Sequence, residues 1–205
     1  MKEPLTPLAD YYRKVKLSPV EHDIAAEAHW AKHEWKRRNL LETHLKLPMF
    51  AFRGAEVIEF GPGSGENCAV LAHHGAQLSL VEPIDYLAEK LRQKLESRGL
   101  GKAIQSLEIG KIESYPTTKA YDFVIAEGFI QFLDEPGKAI RRVSAMVRNG
   151  GFLVLSVVHP EGTFIEFLKK CLLERMIRVL GASSRDEELV LARALFLRDF
   201  EKINH

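Results

Sequence analysis

The sequence predicts an α/β fold built on a parallel sheet, and three observations carry that reading. Short β-rich runs alternate with helical patterns through the middle of the chain, a glycine-rich loop follows the first run, and an acid closes the second. Strands separated by helix-length segments need crossover connections, which leave neighbouring strands parallel.

The β-rich runs cover residues 56–60, 77–82, 103–107, 121–126 and 151–158. Helical patterns lie between most of them, at roughly 66–74, 86–97 and 136–147. The connection 110–120 is too short for a full helix, so the alternation lapses there. Ahead of the sheet, residues 1–50 read as a helical cap. Ser18-Pro19-Val20-Glu21 has the cap, first-turn proline and third-position glutamate of a helix start. The charged stretch after it carries Trp30, Trp35, Leu40 and Leu41, and Pro48 ends it.

After residue 160 the chain turns helical again. Residues 164–180 place Glu166, Lys170, Glu174 and Arg178 in an i, i+4 stripe on an otherwise apolar cylinder. Ser184-Arg185-Asp186-Glu187 has capping-box spacing and opens a further helix to about residue 200. The expected organisation is thus a cap (1–50), a ligand-binding sheet (51–160) and a helical lid or interface segment (161–205).

Composition narrows the function classes. The chain has 205 residues, 46% of them hydrophobic, which suffices for one buried core with an accessory segment. A formal charge of +1 gives no overall field toward nucleic acid or a membrane surface. The one tight basic run, Lys36-Arg37-Arg38, reads as a polar helix face rather than a phosphate-binding patch. Cys68 and Cys171 belong to no Cys-x-x-Cys pair, which suits a reducing compartment and argues against a zinc site or disulfide framework. The N-terminus lacks the apolar core of a signal peptide, and no apolar run reaches the eighteen or so residues of a membrane span. The expectation is a cytoplasmic protein with no nucleic-acid partner and no membrane span.

Gly61, Gly63 and Gly65 lie in Glu59-Phe60-Gly61-Pro62-Gly63-Ser64-Gly65, directly after a strand and before a helix. Glycine suits a backbone that turns tightly and lets a ligand lie against it. A dinucleotide fingerprint would need its third glycine where Glu66 stands, and a carboxylate there would face pyrophosphate. Glu82, ending the second strand, can accept hydrogen bonds from both hydroxyls of a ribose.

This spacing, with Glu59 ahead of the glycines and Glu82 behind them, resembles the first motifs of class I S-adenosylmethionine-dependent methyltransferases. The resemblance runs from about Arg53 to His159 and includes residues 121–133 and the turn Asn149-Gly150-Gly151. It implies a three-layer Rossmann-like sheet of strand order 3-2-1-4-5, with S-adenosyl-L-methionine as the cofactor. Glu59 would suit the cofactor's ammonium end, Phe60, Gly61, Pro62, Gly63 and Gly65 the loop, and Glu82 with Pro83 the ribose. Where the family often has an acid near the adenine amino group this chain has Lys111. Backbone groups of Lys111 and Ile112, or Glu113 in a shifted register, are the alternatives. Glu127 and Gly128 end the fourth strand, and Tyr12 resembles the N-terminal tyrosines that close over the methionine part. Apart from Tyr12 in the cap, these positions fall at the carboxyl ends of strands, where open parallel sheets bind ligands.

Methyl transfer to oxygen or nitrogen calls for alignment and often for a base. His159 at the end of the fifth strand is the candidate base, with a strand-end cap before Pro160 as the competing role. Glu127 is the second catalytic candidate, holding the acceptor or the cofactor's amine. His29 and His33 stand i, i+4 on a helix and read as a solvated face rather than a metal pair. The expected reaction is methyl transfer to a small molecule, an oxygen nucleophile and in the nearest pattern a sugar. A nicotinamide-dependent oxidoreductase and a non-catalytic methyltransferase-like subunit are the rival readings. The family's usual strands six and seven have no β-rich counterpart after His159. The expectation is therefore an oligomer or a truncated chain, with a partner chain completing the sheet or the C-terminal helices covering the bare edge of the fifth strand.

Overall fold

The computed structural model describes residues 7–16 and 23–157, together with the single positions 175, 179, 184 and 187. The chain divides into two units, Met1–Val157 and Val158–His205, so the N-terminal helices and the sheet belong to one body.

That body runs α1 (Pro7–Val15), α2 (Glu27–Asn39), β1 (Glu56–Phe60), α3 (Glu66–His73), β2 (Gln77–Glu82), α4 (Asp85–Ser97), β3 (Ile104–Ile109), β4 (Tyr121–Glu127), α5 (Pro136–Ser144) and β5 (Val147–Ser156). The five strands form one sheet of order β3-β2-β1-β4-β5, and every pairing is parallel. This is the predicted topology. Residues 110–120 carry no helix, and the short 3-10 turn Ile130–Phe132 precedes α5.

The strands read as unbroken apolar runs because both faces of the sheet are covered. Alternate side chains sort into two cores. Val57, Leu78, Leu80, Phe123 and Ile125 pack with Trp30 and Leu41 of the N-terminal region and with residues of α3 and α4. Ile58, Phe60, Val81, Val124 and Ala126 pack on the other face with Ala139 and Val143 of α5. Burying an aliphatic or aromatic side chain is worth about 1.5–3 kcal/mol, which holds each layer to the sheet.

The boundaries around the fifth strand differ most from the sequence expectation. β5 starts at Val147 rather than near Gly151, because the polar stretch Arg148-Asn149-Gly150 is absorbed as an irregularity against β4. The pairing jumps from Tyr121↔Val147 to Phe123↔Phe152 across it. α5 correspondingly ends at Ser144. α2 passes directly into one π turn, Leu40–His44, closed by the Leu45 amide donating to the Leu40 carbonyl at 3.0 Å. The expected helix start at Ser18-Pro19, the candidate base His159 and nearly all of the expected C-terminal lid lie outside the described residues. Within the lid segment, Ser184 Oγ accepts the Glu187 amide at 3.3 Å, the bond the capping-box spacing predicts. Among the described residues no helix is long and apolar enough to cross a membrane.

Candidate cofactor and acceptor site

Strand alternation sets the site. Glu59 has the parity of Val57, Glu82 that of Leu80, and Glu127 that of Ile125, so the three carboxylates leave the carboxyl ends of β1, β2 and β4 on one face. Register keeps them close: Glu59 pairs with Leu80 and Ile125, while Glu82 and Glu127 lie two residues beyond those partners. Helix α2 covers this face and supplies the counter-charge.

The counter-charge is Arg37. Its guanidinium binds Glu127 in two-point fashion, Nη1 to Oε1 at 3.0 Å and Nη2 to Oε2 at 2.6 Å. Arg37 is only 3% exposed. Burial works against its charge, but Glu127 and then Glu59 outweigh that and hold the guanidinium protonated. The sequence reading missed this residue by treating the basic run as a solvated face. A signal was present: Arg37 stands seven residues after Trp30 and four before Leu41, on the buried stripe of the helix.

Glu59 is 3% exposed, and its Oε2 has no hydrogen-bond partner. Burial pushes its carboxyl up to about 8, despite the pull of Arg37. Glu82 accepts the Gly63 amide on Oε2 at 2.9 Å and the Ile84 amide on Oε1 at 3.0 Å. Burial raises it to about 7, opposed by those two amides. Each of its oxygens keeps a lone pair for a further donor.

The loop between β1 and α3 is stitched into the sheet end. The Gly61 amide donates to the Val81 carbonyl at 2.9 Å, and the Gly128 amide to Ser156 at 3.0 Å. Glu66 opens α3 as a buried carboxylate, held by the Lys94 ammonium and by Ser64 Oγ at 2.8 Å. A pyrophosphate against this helix start would meet that acid, which disfavours a dinucleotide.

These groups wall a cavity of about 630 Å³. Tyr12, Phe60, Gly61, Pro62, Gly63, Glu82, Pro83, Lys111, Ile112, Glu127 and Gly128 all line it, as does Glu113. Glu59 and Gly65 are not among the lining residues. Glu59 is buried, and Gly65 turns toward α4, where an added Cβ would lie 2.7 Å from Leu91 Cγ. His33 also lines the cavity, and His29 is exposed, so the pair is split between the site and solvent.

A family model for the methyltransferase domain matches residues 28–198. The chain belongs to the methyltransferase domain family. Among its relatives is a tRNA U34 carboxymethyltransferase of Pseudoalteromonas translucida, 28% identical over 69% of this chain and 42% of that protein. A protein-L-isoaspartate O-methyltransferase of Gloeobacter violaceus is 27% identical over 60% of this chain and 54% of its own length. The chain therefore spans about half the length of these curated relatives.

Solved structures of methyltransferases share the fold of the domain, a parallel sheet of order β3-β2-β1-β4-β5 with flanking helices. The magnesium protoporphyrin IX methyltransferase of Synechocystis PCC 6803, with bound S-adenosylmethionine, superposes at a TM-score of 0.56 with 15% identity, over 80% of this chain and 82% of that one. A methyltransferase from Geobacter sulfurreducens in complex with S-adenosylhomocysteine gives 0.53 with 15% identity, over 76% and 56%. At these identities the likeness is one of fold.

The residues of the methyltransferase domain fit that cofactor. Its amino-acid end bears an ammonium and its centre a sulfonium. Among the described residues Glu59 offers a buried acceptor atom with no partner, inside a group of three acids with one buried arginine. An acid-rich floor of this kind suits a cation and repels a phosphate chain.

Proposed function

We propose that this domain binds S-adenosylmethionine against Glu59, the loop 61–63 and Glu82, and transfers its methyl group to an oxygen of a small acceptor, a sugar being the favoured class. The single observation that supports this most is the hydrogen bond between Glu82 and Gly63. One carboxylate both shapes the glycine loop and keeps lone pairs on the cavity wall for a ribose diol. The cavity volume lies in the range of about 300–1,000 Å³ usual for small ligands, which accommodates a nucleoside with a small co-substrate.

When bound, the cofactor supplies an electrophilic methyl on a sulfonium. The chain's own part is placement and proton handling. Glu59, charged once a cation faces it, holds the ammonium, and Glu82 takes the ribose hydroxyls. Ile112, Val81 and Pro83 offer an apolar bed for the adenine, with backbone groups of Lys111 and Ile112 beside it. Both oxygens of Glu127 hydrogen-bond Arg37, which assigns Glu127 to fixing α2 over the cavity, and the proton is assigned to another group. His159, a candidate from the sequence alone, is the base proposed for the acceptor hydroxyl. Aligning nucleophile and methyl accounts for much of the acceleration such a site provides.

The relative named as an O-methyltransferase supports an oxygen acceptor. A cytoplasmic setting and a second copy or partner chain along the β5 edge remain part of this proposal.

Incubation with S-adenosylmethionine carrying a labelled methyl, against a panel of sugars, phenols and carboxylic acids, tests it. Label transferred to a hydroxyl, and lost in His159→Gln with cofactor binding retained, is the expected result. Cofactor binding with no transfer to any acceptor would favour a non-catalytic subunit.

A further inference from the structure

Leu40 opens the π turn one helical turn after Arg37, and Phe129 follows Glu127 by two residues. The two-point bond between Arg37 and Glu127 therefore brings the π turn and the loop after β4 to the same part of the cavity wall. Both contributions there are apolar: Leu40, Phe129, Phe132 and Leu133 all line the cavity. Phe129 abuts the glycine loop, since a Cβ on Gly61 would lie 3.0 Å from its Cδ1. The 3-10 turn fixes the set. The Phe132 amide donates to the Phe129 carbonyl at 2.9 Å, and the Leu133 amide to the Ile130 carbonyl at 3.2 Å.

Phe132 and Leu40 keep 49% and 39% of their surface exposed. A single exposed leucine means little, but four apolar side chains on one cavity wall form a patch of the kind that receives a ligand. A Cβ on Gly128 would meet nothing within 4 Å, so the space over the end of β4 is open. The contacts proposed for the cofactor, at Glu59, the loop 61–63, Glu82 and Ile112, leave these four side chains unused. A free sugar laid against them would turn hydroxyls from water toward groups that cannot hydrogen-bond, which is unfavourable. We infer that Leu40, Phe129, Phe132 and Leu133 seat an apolar, ring-sized group of the acceptor, so that within the sugar class proposed above the acceptor is a glycoside with an aryl aglycone rather than a free sugar. The inference rests on that reading and names the part of the acceptor that the protein holds.

Calorimetry on the protein saturated with S-adenosylhomocysteine tests it. Phenyl and methyl glycosides of the same sugar are compared across glucosides, galactosides, mannosides and rhamnosides, with phenol as the ring alone. A phenyl glycoside is expected to bind about 10-fold or more tightly than its methyl partner, the scale of burying one ring. Phe132→Ser, at a half-exposed position, should bring that ratio close to one with the affinity for S-adenosylhomocysteine unchanged, and Leu40→Ser should lower it in the same direction. Trp35→Ser, exposed on α2 outside the cavity lining, is the control and should leave the ratio as it was. Equal binding of phenyl and methyl partners, a ratio unmoved by Phe132→Ser, or no binding of any phenyl compound overturns the inference while leaving the cofactor reading in place. A wild-type dimer that Phe132→Ser splits, with the ratio unmoved, assigns the patch to a second copy and overturns it too. Phenol bound where no glycoside binds, and lost in Phe132→Ser, supports the apolar seat and overturns the sugar class. Failure of S-adenosylhomocysteine itself to bind overturns the cofactor reading, and this inference with it.

Discussion

Glu82, the last residue of β2, reaches the glycine loop and accepts the Gly63 amide at 2.9 Å. The two residues are nineteen apart in sequence, yet this one bond joins loop conformation to ribose recognition. Replacing Glu82 by alanine should therefore weaken S-adenosylhomocysteine by about 100-fold, since two amides lose their acceptor along with the ribose contact. Glu82→Gln should fall between, because its amide nitrogen would oppose one of the two donating N–H groups. Titration calorimetry with a parallel melt separates this loss from unfolding.

The raised carboxyls predict a pH dependence of stability with a definite sign. Glu59 is near 8 in the folded chain, above the ordinary carboxylate value of about 4.3. Between those values the folded state holds a proton that the unfolded state has released. The contribution of Glu59 is therefore fully present below about pH 4 and is lost as pH rises toward 8. Glu82, near 7, adds the same sign over a shorter span. Melting temperature measured from pH 5 to 9 should decline, and Glu59→Gln should flatten most of that decline.

Ligand binding should show the mirror image. A cation beside Glu59 favours its ionised form, so binding releases protons and affinity climbs with pH up to about 8. Calorimetry at pH 7 in two buffers of different ionisation heat measures the release directly. Net proton uptake would contradict the placement of the ammonium at Glu59.

Removing Arg37 should cost the fold more than the site alone. Arg37→Met leaves Glu127 without its partner and Glu59 without its nearest cation, and breaking a buried pair from one side typically costs about 3–5 kcal/mol. Glu127→Gln, which keeps one acceptor oxygen, should cost less. Chemical denaturation midpoints check the order.

The two later loop glycines should fail differently. Gly65 has φ +91°, and an alanine Cβ there would meet Leu91 at 2.7 Å, so Gly65→Ala should lower melting temperature and binding together. Gly63 has φ +61°, which aspartate tolerates better than most residues, so Gly63→Asp should lose binding through repulsion with Glu82 while the fold survives.

Much of the sheet was legible because its strands are buried on both faces. Runs such as Val57-Ile58-Glu59-Phe60 cannot be amphipathic, and the glycines after them mark the crossover. The start of β5 was not legible, since Arg148 and Asn149 are spent on an irregular edge pairing that resembles a turn. The acids of the site were readable from strand parity and position. Arg37 was hidden because three adjacent basic residues look alike until a helix phase, set by Trp30 and Leu41, picks one of them out. His33 was hidden by the same phase ambiguity. Lys36 entered as part of a surface run, and only the cavity shows which way it faces.

A calorimetric comparison of S-adenosylmethionine, S-adenosylhomocysteine and NAD on the wild type and on Glu82→Ala tests cofactor binding at this site most directly. Both methionine-derived nucleosides should bind one-to-one, that binding should be lost in the variant, and NAD should not bind. Binding of NAD alone, or nucleoside affinity unchanged by Glu82→Ala, would contradict it.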